Sequence, residues 1–244
     1  MPRIWRTKVE PLANAADVIL RMARYNLKII FGNKFIFFFL ASIAFFLLLN
    51  GIFVFSETPP TAGLVYYYLL FPALLVVFYP STFGLQTDVD VRMIEILFGI
   101  PDYRYKVWLV RLVMIFVLAF VIVLVLASLA TFTVMPVDIF PIAVQVMFPV
   151  LFWGSLGFML STVVRSGSGT AVLMVVIGLG CFLAMSRLAA SKWNLFLNPY
   201  DVPSSLNEVV WASIVRENRI YLMAGSLLAI LLGLFNLQKR ERFV

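Results

Sequence analysis

Six stretches without a single Asp, Glu, Lys or Arg recur along the chain, at Phe35–Ser56, Thr58–Thr87, Leu112–Val137, Ile139–Val164, Ser166–Ser186 and Ile220–Gln238. Each meets or approaches the ~20 residues that a helix needs to cross ~30 Å of hydrocarbon. In a medium without water, every backbone N–H and C=O must be satisfied within the segment, and a helix does so. A transmembrane barrel would place polar residues at alternate positions, which these runs do not. The expected fold is therefore all-α: one polytopic membrane domain over residues 1–244 with six transmembrane helices. Composition agrees, since 63% of the residues are hydrophobic and 13% charged, against about half and about a quarter in soluble domains.

The same composition removes several chemistries. There is no histidine and one cysteine, Cys181. The commonest general base is missing, and no zinc-binding cluster or internal disulfide can be assembled. No catalytic, metal or cofactor-binding residue is assigned. A phosphate loop of the form G-x-x-x-x-G-K-[ST] is absent. The nearest glycine-rich stretch, Arg165 to Thr170 (RSGSGT), lacks the lysine and reads as a tight inner turn between the fourth and fifth runs. No run carries a charge at its centre, which disfavours an ion-coupled carrier. The first run begins near Phe35 and is too long for the apolar region of a cleavable signal peptide.

The net charge of +7 is read through topology rather than as nucleic-acid binding. With both termini cytoplasmic, all of the 19 Lys and Arg residues fall inside except Arg187, Lys192, Arg216 and Arg219. The short outer loops near Glu57 and Asp138 hold none, the asymmetry expected of a multi-pass protein of the cell membrane. Residues 13–32 read as a helix lying on the membrane: Asp17, Arg21, Arg24 and Lys28 share one stripe. Arg21, Arg24 and Lys28 would face water and lipid phosphates. Residues 187–219 form the one sizeable outer element, read as short helices at the interface, with a plain surface loop as the equal alternative because periodicity here is weak. Ser204 or Ser205 would cap one that runs to about Arg216. Pro72, Pro80, Pro141 and Pro149 fall in spans and would bend them. Small residues gather at Gly154, Ser155, Gly157 and Ser161, and again at Gly167, Gly169, Gly178 and Gly180. They permit close helix approach, either within the chain or between two chains.

One charge-dense island interrupts the middle, Thr87 to Arg111 (TDVDVRMIEILFGIPDYRYKVWLVR). Thr87 reads as an N-cap with Asp90 at N3, and Asp88 and Asp90 as first-turn carboxylates that suit the helix dipole. The helix would cover 88–100 and stop at Pro101. Asp88, Arg92, Glu95 and Gly99 share one narrow arc, and apolar side chains cover the rest. Such a helix needs a cover of lipid, protein or partner. Glu95, at mid-helix, has no capping role to explain it.

This island resembles the cytoplasmic helix after the second span in the type-2 ABC-transporter permease family, whose pattern is roughly E-x-E-x-G-T-L-E-x-L-L-x-x-P. Asp88 and Asp90 stand at the acidic positions, Ile94-Glu95 at the Leu-Glu step, Leu97-Phe98 at the Leu-Leu pair, and Pro101 at the matching distance. Arg92-Met93 replaces the usual Gly-Thr. The interfacial helix, the six spans with both ends inside, Leu160 to Arg165 closing the fourth span, the outer helical element before the last span and the short basic tail extend the resemblance over nearly the whole chain. It implies a permease subunit without its own ATPase site, paired with a second permease subunit, identical or related. Separate ATP-binding subunits would hold ATP and Mg. Asp88, Asp90, Arg92, Glu95, Leu97, Phe98 and Pro101 would be the ATPase-coupling residues, and the cargo an exported hydrophobic or amphipathic molecule. Two other classes stand beside it: a lipid-headgroup enzyme using Asp88, Asp90 and Asp102 as a metal site, and a non-transporting membrane anchor of an ATPase.

Overall fold

The computed structural model describes residues 35–54, 59–90 and 104–237. Among them all regular structure is helical: α1 Phe35–Val54, α2 Ala62–Asp90, a π-helical stretch Arg104–Leu109 leading into α3 Val110–Thr133, α4 Ile139–Val164, α5 Gly167–Ala184 and α6 Glu208–Asn236. Five helical segments are long and apolar enough to cross a membrane, namely α2, α3 with its lead-in, α4, α5 and α6. The chain is a multi-pass helical membrane protein on that architecture. α1 is a shorter apolar helix beside α2, joined by the Phe38–Tyr79 and Phe53–Tyr68 ring contacts. Those pairings make α1 and α2 antiparallel. The Phe35 end of α1 therefore lies with the end of α2 and with the Leu237 end of α6. The interfacial helix at 13–32, with Arg21, Arg24 and Lys28, lies outside the described residues.

α4 sits at the centre, packed against α2, α3, α5 and α6, while α5, among the described helices, packs on α2 and α4. The close approach is built from glycine. A methyl group on Gly154 would lie 2.5 Å from Val77 Cγ1 of α2 and 2.6 Å from Phe116 Cε1 of α3. On Gly157 it would lie 2.7 Å from Ser81 Oγ, and on Gly233 2.6 Å from Phe158 Cε1. The open choice between contacts within and between chains is thus divided. Gly154 and Gly157 serve this chain's own packing, whereas Gly180 faces open space on α5, among exposed Val176, Leu179 and Leu183.

Three expectations are corrected. Thr87 does not begin a helix: α2 runs unbroken for 29 residues through Asp90. No proline or turn intervenes between Leu85 and Asp90, so an i−4 bond remains open to each N–H. At ~1.5 Å per residue the helix is about 44 Å long and overruns a ~30 Å core. Residues 187–206 form turns, not short helices, and the cap of the following helix is Asn207, whose side chain accepts from Val210 N–H, rather than Ser204 or Ser205. That helix does not stop at Arg216 but is α6 itself, reaching Asn236. The charged triplet Arg216, Glu217, Arg219 thus lies inside a 29-residue helix. Pro72, Pro80 and Pro149 stand within helices. Pro141 occupies the first turn of α4, where its missing donor costs little.

Candidate functional site

The two ends of the bundle differ in chemistry. At one end, Leu85 of α2, Trp108 and Leu112 at the entry to α3, Phe158 of α4, and Leu234 and Leu237 of α6 form one buried cluster. Trp108 packs against Phe158 with ring centroids 6.1 Å apart, and the Arg111 guanidinium lies 4.6 Å over the Trp108 ring. Arg111 is buried, and cation–π contact with an aromatic face offsets part of the cost of desolvating it. Gly233 makes room for Phe158. Asn236 Nδ2 donates to Thr162 Oγ1 at 3.3 Å, adding a polar tie between α6 and α4.

The same end holds the tight turn between α4 and α5. Arg165 adopts a left-handed conformation with φ 57°, the one non-glycine with positive φ among the described residues. Ser166 then caps α5, its Oγ accepting from Gly169 N–H at 3.2 Å. Gln86 Oε1, one turn from the end of α2, accepts from Gly167 N–H. The end of α2 is therefore tied to α5 directly and to α3, α4 and α6 through the cluster.

The segment 91–103 joins these parts. It leaves α2 at Asp90 and re-enters at the π-helical stretch Arg104–Leu109. Leu85, five residues before Asp90, and Trp108, four residues after Arg104, belong to the buried cluster. A π-helical stretch marks a locally adjustable hydrogen-bond register and recurs at functional sites. Asp88 and Asp90 lie in the last described turn of α2, with side chains outside the description. Arg92, Glu95, Leu97, Phe98, Pro101 and Asp102 lie outside the described residues. Because α2 continues through Asp90, first-turn capping no longer explains Asp88 and Asp90.

The opposite end carries a polar network that the sequence reading did not single out. Asn218 of α6 is buried; its Nδ2 donates to Lys192 O at 2.8 Å and Asn194 O at 2.9 Å. Asn194 Oδ1 accepts from Phe196 N–H, and Asn198 Oδ1 from Tyr200 N–H, closing two Asx turns. Asn198 Nδ2 reaches Gly63 O of α2 at 2.9 Å, and Trp211 Nε1 donates to Pro199 O at 3.1 Å. Arg219 Nε donates to Gln145 Oε1 of α4 at 2.9 Å and Nη2 to Leu197 O at 3.2 Å. The recurrent Asn residues at 194, 198, 207 and 218 in an apolar setting were the available signal. At the rim, Lys192 Nζ donates to Glu217 Oε2 at 2.9 Å. This bond, with the phenol of Tyr221, raises the lysine above its ordinary range. Burial raises the Tyr200 phenol, against the Arg219 charge.

Two clefts open between helices. One, of about 310 Å³, lies between α2, α4 and α5 and is almost wholly apolar, with Phe71, Phe78, Trp153, Met174 and Phe182 in its walls. The other, of about 810 Å³, lies between α4 and α6, with Arg216 and Arg219 midway along its α6 wall and Glu208 also on that wall. The described residues contain no group of three His, Cys, Asp or Glu side chains able to hold a metal. No family model, curated protein or solved structure matches the chain.

Proposed function

We propose that the chain is the transmembrane subunit of an ATP-driven transporter of the type-2 ABC kind, with six spans and both termini in the cytoplasm of the cell membrane. The observation that carries the reading is mechanical. The helices that flank the charge-dense segment 91–103 meet in one buried cluster, through Leu85 of α2 and Trp108 before α3, together with side chains of α4 and α6. A push on that segment cannot be absorbed by one helix; it must repack the bundle's end. Separate ATPase subunits would bind there, engaging Asp88, Asp90, Arg92, Glu95, Leu97, Phe98 and Pro101. Closure of the ATPase pair on nucleotide would move the segment, and differential contacts in two states would couple that movement to opening of the path.

A second permease subunit would pack on α5. Its exposed face is apolar and carries Gly180, with no atom within 4 Å of where a Cβ would stand, a surface suited to close helix approach. The apolar cleft between α2, α4 and α5 supports a hydrophobic or amphipathic cargo, and export is the direction this family resemblance implies.

The test is Glu95→Arg in membranes that also hold the ATPase subunit. The variant should insert, assemble and hydrolyse ATP while ATP-dependent cargo movement is lost. Transport at the normal rate would remove the coupling assignment. A neighbouring reading frame encoding a phosphate-loop ATPase without membrane spans, and its co-purification with this chain, would identify the partner.

A further inference from the structure

Arg219 stands at the twelfth position of α6, inside a helix that continues to Asn236, and it is buried. Its guanidinium is held in place by Gln145 Oε1, by Asn218 Oδ1 at 2.9 Å from Nη1 and by Leu197 O, with the Tyr66 hydroxyl facing it and the Phe148 ring 5.5 Å away. Every one of these partners is neutral. Among the described residues no carboxylate lies within 4.0 Å of Arg219, the ion pair at this end being Lys192 with Glu217. Arginine keeps its charge at any accessible pH. A desolvated cation that is positioned by neutral oxygens and paired with no anion is a site built for an anion from outside.

The space beside it fits that role. The cleft of about 810 Å³ between α4 and α6 has Arg219 and Arg216 on its wall, one helical turn apart. Glu208 is also on the wall. It precedes Arg219 by eleven residues, about 16 Å along the helix axis at ~1.5 Å per residue, so it does not neutralise the guanidinium. In the other direction the lining turns apolar, through Phe148, Met223 and Leu227. The outer lip is exposed, with Ile220 at 60% and Leu227 at 57%. Along α6 the cleft carries Glu208 at one end, the two arginines at mid-length and apolar side chains from there to Leu227. A free phosphate would use only the arginines. A second copy of this chain laid on the apolar part would still leave Arg219 without an anion.

We propose that this cleft binds one anionic phospholipid, its phosphate between Arg216 and Arg219 and an acyl chain along Phe148, Met223 and Leu227. The proposal requires the chain to sit in a bilayer and is independent of coupling to an ATPase. The bound lipid supplies the missing negative charge and fills the space between α4 and α6.

The test is native mass spectrometry of the full chain in detergent, titrated with phosphatidylglycerol and with phosphatidylcholine of the same acyl chains. The wild type should retain phosphatidylglycerol roughly thirtyfold better, the scale set by two cations at a membrane surface. Arg219→Gln, which leaves Arg216, should bring the two lipids within about fivefold. Met223→Trp, placed on the half-exposed apolar wall, should lose both lipids; it carries the test alone if Arg219→Gln fails to fold. Equal retention of the two lipids by the wild type would overturn the proposal, as would unchanged phosphatidylglycerol retention in Met223→Trp. Displacement by inorganic phosphate would reassign the site to a free anion. A lipid-free dimer that Met223→Trp converts to monomer would reassign it to a second copy.

Discussion

Gly154→Ala probes the place where α2, α3 and α4 meet. The added methyl group would stand 2.5 Å from Val77 Cγ1 and 2.6 Å from Phe116 Cε1. Carbon atoms settle at about 3.5–4.0 Å, so each contact is short by roughly 1 Å. Val77 is fully buried and β-branched, hence nearly locked at χ1 in a helix, and Phe116 is packed against the same core. The strain cannot be relieved by one rotamer change, and the helices must separate. Overpacking of this kind costs about 1–3 kcal/mol. Replacing glycine by alanine inside a helix returns about 1 kcal/mol. Gly180→Ala on α5 makes no contact within 4 Å, so it keeps only that gain. The propensity term cancels in the comparison, and Gly154→Ala should be less stable than Gly180→Ala by about 1–3 kcal/mol. At ~2–4 °C per kcal/mol for a chain of this size, the gap in melting temperature is on the order of 2–12 °C. Thermal unfolding of both variants in one detergent, followed by tryptophan fluorescence, measures it. A Gly154→Ala protein that melts with or above Gly180→Ala would refute the packing of α4 against α2 and α3 described above.

Further outcomes are expected at the opposite end of the bundle. Asn218→Ala removes donors from Lys192 O and Asn194 O and an acceptor from Arg219. At about 1–3 kcal/mol for each of the buried groups left unsatisfied and ~2–4 °C per kcal/mol, the melting temperature should fall by at least about 6 °C, and a loss under about 2 °C would argue against the network. The Lys192–Glu217 bond raises the lysine pKa. A raised folded-state pKa means that its stabilisation is fully present below the ordinary lysine value of 10.5 and declines as pH rises through the raised value. Melts of wild type and Lys192→Met from about pH 8 to about pH 12 should therefore differ at the low end and converge at the high end. A difference that grows with pH would contradict the sign.

The fold class was readable because each long uncharged run has one way to satisfy its backbone in hydrocarbon. A turn between the fourth and fifth runs was also readable, although it is confined to Arg165 and Ser166, and Gly167–Thr170, expected in the turn, form the first turn of α5. Such local reasoning failed where a polar residue finds its partner far along the chain. Arg216, Glu217 and Arg219 looked like the end of an outer helix because the partners of Glu217 and Arg219, namely Lys192, Gln145 and Leu197, are distant in sequence. Thr87, Asp88 and Asp90 carry a capping signature, yet α2 runs through them, since a cap pattern acts only where the preceding residues leave the helix. Of the residues expected to couple to an ATPase, Asp88 and Asp90 fall on the last turn of α2, and Arg92, Glu95, Leu97, Phe98 and Pro101 lie outside the described residues.

The sequence alone determined that this chain is helical, apolar and multi-pass, because hydropathy and run length depend on each residue's own transfer from water. It also isolated the charged island at Thr87–Arg111, since charge cannot be left in hydrocarbon. The tertiary structure decided which glycines serve α4 and which face outward. It also decided that Leu85 of α2 and Trp108 before α3 meet Phe158 and Leu234 in one cluster, and that Arg219 is held beside a cleft by neutral partners alone. These are properties of pairs distant in sequence, set by which helices pack together and at what height, and no local pattern encodes them.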